Sequence, residues 1–161
     1  MDESLDAESD LEQFSGPETE TSATVMPEEQ STQLGGRRLR CLIVEDDDVQ
    51  QELLVQYLQS MGLETLVAGT IERAWYHLEN AKIEIAIVDI QLPDGNGLHF
   101  CESVVDDPRY LDLPIIILSS MDPDNIVRKS RASGASFFVG KPYDPNVLLL
   151  IIERLLGPAE E

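Results

Sequence analysis

Five short apolar runs, separated by segments of helical periodicity, constrain the fold of this 161-residue chain more than any other feature. The runs are LRCLIV (39–44), TLVAG (65–69), IEIAIVDI (83–90), PIIILSS (114–120) and FFVG (137–140). Runs that are almost wholly apolar are typical of strands buried on both faces. Because a helical segment follows each run, the pattern predicts βα units with right-handed crossovers. The expected fold is α/β, a five-stranded parallel sheet with helices on both faces.

Apolar stripes and helix signals agree with this prediction. Two stripes at helical spacing predict helices after the first and second strands: Leu53, Leu54, Tyr57, Leu58 and Met61, then Ala74, Leu78 and Ala81. Asp122-Pro123 and Asp144-Pro145 each place a capping acid before a proline at the first helical position, where a missing N–H costs nothing. Gly62 and Gly157 are predicted helix stops.

The first 36 residues differ in composition from the rest of the chain. They carry ten acids, no Lys or Arg and only scattered apolar residues. Such a segment buries too little apolar surface to offset its ordering entropy. We therefore predict a disordered acidic N-terminal tail over 1–36, a folded domain over 37–157 and a short C-terminal end over 158–161. The domain begins at three arginines, Arg37, Arg38 and Arg40.

Charge and hydropathy argue against two classes of function. The net charge of −20 disfavours direct binding of nucleic acid. The longest apolar stretch, Val147 to Ile152, is far shorter than the ~20 residues that span a bilayer, and the N-terminal pattern is not that of a signal peptide. We expect a cytoplasmic protein with no membrane partner. Cys41 and Cys101 lack CxxC spacing and are expected to be buried thiols.

Chemically active side chains follow four of the predicted strands. Glu45 and Asp46 follow the first, Asp89 ends the third, Ser119 ends the fourth, and Lys141 follows the fifth. Ligands of open α/β sheets bind outside the carboxyl ends of the strands, near the point where strand order reverses. The sequence therefore predicts three carboxylates, a hydroxyl and an ammonium group along one edge of the sheet.

Each of these groups has a chemical use. Clustered carboxylates favour a hard divalent cation, and Mg²⁺ takes one or two protein carboxylates while it keeps waters and a phosphate in its shell. A carboxylate also serves as a nucleophile that carries an aspartyl-phosphate. The metal, a hydroxyl donor and a lysine would then stabilise the phosphoryl oxygens. The acids from Glu45 to Asp48 would flank the metal, with Asp47 and Asp48 capping the first helix.

Residues 39–156 resemble the receiver domain of bacterial two-component response regulators. Four motifs carry the resemblance in the family's order: LIVEDDD, IVDIQLPDGNGL, IIILSS and GASFFVGKPY. Any one of them alone is a weak signal, and their order makes the match specific. The resemblance implies a flavodoxin-like, CheY-like sheet with strand order 2-1-3-4-5.

The resemblance also implies a role for each site residue. Asp89 would be the phosphoacceptor, and Asp46, Asp89 and the backbone carbonyl of Gln91 would hold Mg²⁺, with Glu45 acting directly or through water. Glu45 stands where many receivers have Asp, so its extra methylene favours the contact through water. Lys141 would pair with the phosphate, and the Lys141–Pro142 peptide would be cis.

Two further residues would form the switch. Ser119 would bond a phosphoryl oxygen, although many receivers have Thr there, and Phe138 occupies the family's aromatic switch position. Phosphorylation would move Ser119 and turn Phe138 inward, which alters the surface of the family's fourth helix, fifth strand and fifth helix. The glycines of PDGNG, Gly95 and Gly97, are expected to supply unusual backbone angles in a turn.

The implied function is a phosphorylation switch and not a turnover enzyme. A histidine kinase or phosphotransfer protein would donate the phosphoryl group, and a downstream output protein would receive the signal. Since about five residues follow the last predicted helix, we expect a stand-alone receiver.

Two alternatives stay open. One is an Mg²⁺-dependent phosphatase of the haloacid dehalogenase type, whose first acid pair would be Asp46 and Asp48, although its late acid pair is not matched. The other is a pseudo-receiver that binds partners without phosphorylation, which the intact set of site residues disfavours.

Overall fold

The computed structural model describes residues 33–34, 37–120, 124, 128 and 133–157. The main strands are β1 (Arg40–Val44), β2 (Glu64–Ala68), β3 (Ile85–Asp89), β4 (Ile115–Ser119) and β5 (Phe137–Gly140). Among the described residues, the helices with complete bounds are α1 (Asp48–Ser60), α2 (Ile71–Asn80), α3 (Gly97–Val105) and the C-terminal helix (Pro145–Leu156), and a 3₁₀ turn spans Pro108–Tyr110. The predicted strands differ from these bounds by no more than two residues at an end.

The five main strands form one parallel sheet. Their order is β2-β1-β3-β4-β5, as the family resemblance implied. Strand order reverses at β1, which has β2 on one side and β3 on the other. In the register, Val44 is opposite Val88, Asp89 is opposite Leu118, and Ser119 is opposite Gly140. The loops after β1, β3 and β5 therefore leave the same edge of the sheet, beside the end of β4.

Helices cover both faces of the sheet and divide the core into two layers. On one face, Cys41 and Ile43 pack with Leu54 of α1 and Ile152 of the C-terminal helix. The opposite face packs against α2 and α3. The three central strands are buried almost throughout, whereas the edge strands β2 and β5 are partly exposed, since each has a neighbour on only one side.

Helix ends follow the predicted signals. Asp47 caps α1 by accepting hydrogen bonds from the N–H groups of Val49 and Gln50, and Asp144 caps the C-terminal helix, whose first residue is Pro145. Gly62 and Gly157 have positive φ angles of 85° and 82° at the ends of their helices. Asp122-Pro123 lies outside the described residues.

The predicted boundary at residue 36 falls within a short antiparallel pairing. Gln33–Leu34 pairs with Arg37–Arg38, and most of the predicted acidic tail, residues 1–32, lies outside the described part of the chain. Across the residues that the structure covers, none of the helices has the length and apolar character needed to cross a bilayer. Cys41 and Cys101 are buried free thiols, as predicted, and burial raises the pKa of each.

Candidate functional site

Three carboxylates meet at the carboxyl edge of the sheet. Glu45 and Asp46 lie in the loop after β1, and Asp89 is the last residue of β3. One oxygen from each lies within 4.8 Å of the others, so all three can face a single ion. Glu45 is buried, Asp89 is half-buried and Asp46 is exposed. The three carboxylates lie together as predicted, because neighbouring parallel strands place their ends side by side.

Lys141 brings a positive charge to this cluster. Its Nζ lies 3.1 Å from Glu45 Oε1 and 3.6 Å from Asp89 Oδ1. Its backbone N–H donates to the carbonyl of Ser119 at 2.7 Å, and the Lys141–Pro142 peptide is cis, as the resemblance implied. The lysine therefore reaches across β4 to the acids, and its ammonium group pairs with two of the three carboxylates.

Burial perturbs two of the acids. Desolvation raises the pKa of Glu45, against the hydrogen bonds from the Asp47 N–H and Lys141 that lower it. Desolvation also raises the pKa of Asp89, against the charge of Lys141 and the N–H groups of Gln91 and Ile90. The negative charge of the cluster is thus only partly compensated. A bound cation would compensate the remaining negative charge of the carboxylates.

The loop after Asp89 is held by backbone contacts. Gln91–Leu92 and Gly95–Asn96 form a short antiparallel hairpin, and the Gly97 N–H donates to the Ile90 carbonyl at 2.7 Å. A Cβ at Gly97 would clash with the Asp89 carbonyl oxygen and lie 3.0 Å from its carbonyl carbon. Gly95 has the predicted unusual angle, with φ +156°, but Gly97 does not, so that prediction was wrong for Gly97. Glycine is required at position 97 because the Asp89 backbone leaves no room for a Cβ.

Asp94, in the turn of this hairpin, has a role that the sequence analysis missed. Its carboxylate accepts hydrogen bonds from the N–H groups of Ile71 at 2.8 Å and Glu72 at 3.1 Å. These are the first two residues of α2, so Asp94 caps a helix 22 residues earlier in the chain. The contact joins the loop after Asp89 to the start of α2. Local sequence gives no signal for a cap supplied from so far away.

The two predicted switch residues lie on β4 and β5 and differ in burial. Ser119 is 2% exposed, whereas Ser120 lines the pocket above the acids. Phe138 is half-buried and packs against the core layer on the α2 and α3 face, while its neighbour Phe137 is 39% exposed. Ser119 and Phe138 therefore lie on neighbouring strands, since Ile117 of β4 is the partner of Phe138 in β5.

An open pocket of about 840 Å³ lies above the acids. Its lining includes the acids Asp46 and Asp89 as well as Leu53, Tyr57 and Tyr143. Burial raises the pKa of Tyr143 to about 12, so its hydroxyl is neutral at physiological pH. The pocket gives a reactant direct access to the carboxylate of Asp89.

The family model for the response regulator receiver domain matches residues 41–153. The chain belongs to the response regulator receiver family. This receiver is 31% identical over 118 residues to the heme response regulator HssR of Staphylococcus haemolyticus, covering 73% of the chain and 51% of HssR. It therefore spans about half the length of HssR.

Other relatives match over nearly their full length. The receiver is 29% identical to the chemotaxis protein CheY1 of Helicobacter pylori, over 74% of the chain and 98% of CheY1. Among solved structures, a putative response regulator from Chloroflexus aurantiacus has a TM-score of 0.69 and 28% identity, covering 73% of this chain and 97% of that one. The predicted fold class and family are confirmed.

Proposed function

We propose that Asp89 accepts a phosphoryl group from a phosphohistidine, supplied by a histidine kinase or phosphotransfer protein of a two-component pathway. The observation that carries the proposal is the position of Asp89. Its half-buried carboxylate opens into the pocket between Asp46 and Lys141. A carboxylate oxygen would attack phosphorus as the phosphorus–nitrogen bond to imidazole breaks, and the imidazole leaves with its electron pair and takes up a proton. The product is an acyl phosphate on Asp89.

The oxygen atoms of the cluster fit Mg²⁺. Asp46, Asp89 and the backbone carbonyl of Gln91 would hold the ion, which matches its preference for few carboxylates and several waters. Glu45 would act through water, because its Oε1 accepts from Lys141 and its Oε2 accepts from the Asp47 N–H at 3.1 Å. When bound, the ion supplies positive charge to the phosphoryl oxygens. Lys141, already between Glu45 and Asp89, would pair with the same oxygens.

Phosphorylation at this site would change a surface for partner proteins. A phosphoryl group adds charge and acceptor oxygens that Ser119 can approach from the end of β4. A shift of Ser119 would release space for Phe138 to turn inward from β5. The described part of the output surface includes exposed apolar residues of β5 and the C-terminal helix, namely Phe137, Val147 and Leu150. Most of the family's fourth helix falls outside the described residues.

The phosphatase alternative finds little support in the geometry. It requires Asp48 to share the site with Asp46, but Asp48 lies in the first turn of α1 and, among the described residues, is not one of the acids grouped with Asp46. The carboxylates that do share the site are Glu45, Asp46 and Asp89, which are the receiver set. We therefore propose a switch that is phosphorylated once and has no turnover substrate.

Stoichiometry distinguishes the three functions. In the presence of Mg²⁺, the protein is incubated separately with a phosphohistidine donor protein, with a small acyl phosphate and with a generic phosphomonoester. The proposed function predicts transfer that stops at one phosphoryl group for each chain, and no turnover of the phosphomonoester. Many turnovers of the phosphomonoester would establish the phosphatase. No transfer from donor proteins or from a small acyl phosphate would establish the pseudo-receiver.

A further inference from the structure

The backbone on either side of Asp46 is held by one residue of α1. The side-chain Nε2 of Gln51 donates to the carbonyl oxygen of Glu45 at 2.7 Å. The backbone N–H of the same residue donates to the carbonyl oxygen of Asp47 at 2.9 Å. Gln51 therefore contacts the residue before Asp46 and the residue after it.

The remaining polar atoms of Glu45 leave little freedom in this loop. Its N–H donates to the Ala68 carbonyl at 3.0 Å, and its carboxylate contacts Lys141 and the Asp47 N–H. Glu45 is 2% exposed, so leaving its carbonyl, a strong acceptor, without a donor would carry a desolvation cost. Within the described contacts of this loop, the Gln51 amide is the donor that meets this carbonyl.

Asp46 is exposed, and its place is set by its neighbours in the loop. A carboxylate that binds a metal must be oriented before binding, and the groups that orient it contribute to affinity without touching the ion. The orientation of the Asp46 side chain therefore depends on how firmly the backbone of Glu45 and Asp47 is held.

From this geometry we infer that Gln51 is a positioning residue for the metal and phosphoryl site. Its side-chain amide fixes the Glu45 carbonyl and, through it, the direction of Asp46. The inference rests on the proposed function, because it assumes that Asp46 binds Mg²⁺. It assigns Gln51 no contact with the metal or the phosphoryl group.

The test replaces the amide with an apolar side chain of similar length. Gln51→Met removes the donor and adds no charge, and Gln59→Met makes the same substitution at an exposed position near the end of α1. Mg²⁺ binding is titrated for both variants and the wild type, and thermal unfolding is followed without metal. The Mg²⁺ dependence of phosphorylation by a small acyl phosphate is then measured.

The inference predicts that Gln51→Met raises the half-saturating Mg²⁺ concentration by ~2- to 10-fold, the effect expected from the loss of one hydrogen bond. The rate at saturating Mg²⁺ stays close to that of the wild type, because Asp89 and Lys141 are untouched. Gln59→Met leaves the Mg²⁺ dependence unchanged. A purely structural role would lower thermal stability and leave the half-saturating concentration unaltered, which would overturn the inference. If the wild type bound no Mg²⁺, the proposed function would fail first, and the inference with it.

Discussion

Lys141 Nζ lies 3.6 Å from Asp89 Oδ1, although 52 positions separate the two residues in the chain. The distance is set by the sheet, since β4 lies between β3, which ends at Asp89, and β5, which Lys141 follows, and the Lys141 N–H donates to the carbonyl of Ser119 at the end of β4. The ammonium group is close enough to stabilise negative charge added to Asp89. An ammonium nitrogen has no lone pair, so it cannot take the place of Asp89 as the phosphoacceptor.

Lys141→Ala should leave Asp89 able to accept a phosphoryl group but weaken the response to it. The ammonium that would pair with the phosphoryl oxygens is lost, so phosphorylation would displace Ser119 and Phe138 less. Amide chemical shifts of β5, recorded before and after phosphorylation, measure the response. Lys82→Ala, at an exposed lysine, is the control. A full shift of the β5 amides in Lys141→Ala would refute the coupling role.

Mg²⁺ affinity should increase with pH through the acid range. Because the pKa values of Glu45 and Asp89 are raised above their ordinary values of 4.5 and 3.8, protons occupy the site to higher pH than at free carboxyls. Deprotonation above these raised values restores the negative charge that attracts the cation. Titrations at several pH values test this dependence. Affinity that is constant from the ordinary carboxyl range to neutral pH would contradict it.

Asp46→Ala should weaken Mg²⁺ binding by more than about tenfold, because it removes a proposed ligand and not merely a supporting contact. Asp48→Ala is a matched control, since Asp48 is an exposed acid two residues away in the first turn of α1. Both changes remove one negative charge from the same region. Equal losses of affinity in the two variants would indicate general electrostatic attraction instead of ligation.

Gly97→Ala should destabilise the fold by about 1–3 kcal/mol, the usual cost of forcing an extra group into packed surroundings. The added Cβ would clash with the Asp89 backbone, so phosphorylation should slow as well. Gly69→Ala is the control, because its Cβ would lie 3.9 Å from the nearest atom, the Cα of Asp46. Denaturant unfolding gives the free energies. Equal stability of the Gly97 variant and the wild type would show that the loop relaxes freely.

Asp94→Ala should lower thermal stability at neutral pH but not in acid. The hydrogen bonds from Ile71 and Glu72 lower the pKa of Asp94 below its ordinary value of 3.8. A lowered pKa in the folded state means that the stabilisation is present above 3.8 and is lost as the pH falls through the lowered value. Melting curves of variant and wild type should therefore converge below this range. A difference in melting temperature that stayed constant at all pH values would exclude a stabilising role for the ionised Asp94 carboxylate.

The features that the sequence predicted follow from the local pattern of apolar residues or from the positions of residues at strand ends. The buried runs that became β1, β3 and β4 were evident from their apolar residues, and the sheet then placed Glu45, Asp46 and Asp89 together. The family resemblance supplied the strand order and the cis peptide at Lys141. The features that were missed depend on approach between segments: the closeness of Gly97 to the Asp89 backbone, the cap from Asp94 to α2, and the bond from Gln51 to Glu45. None of these has a signature in local spacing.

The central claim is that Asp89 is the phosphoacceptor, and intact mass measurement tests it most directly. Wild type, Asp89→Asn and the exposed control Asp112→Asn are incubated with Mg²⁺ and a small acyl phosphate, and each product is then treated with hydroxylamine, which cleaves acyl phosphates. The account predicts one hydroxylamine-sensitive phosphoryl group on the wild type and on Asp112→Asn, and none on Asp89→Asn. A hydroxylamine-sensitive phosphoryl group on Asp89→Asn in wild-type amount, or none on the wild type, would contradict it.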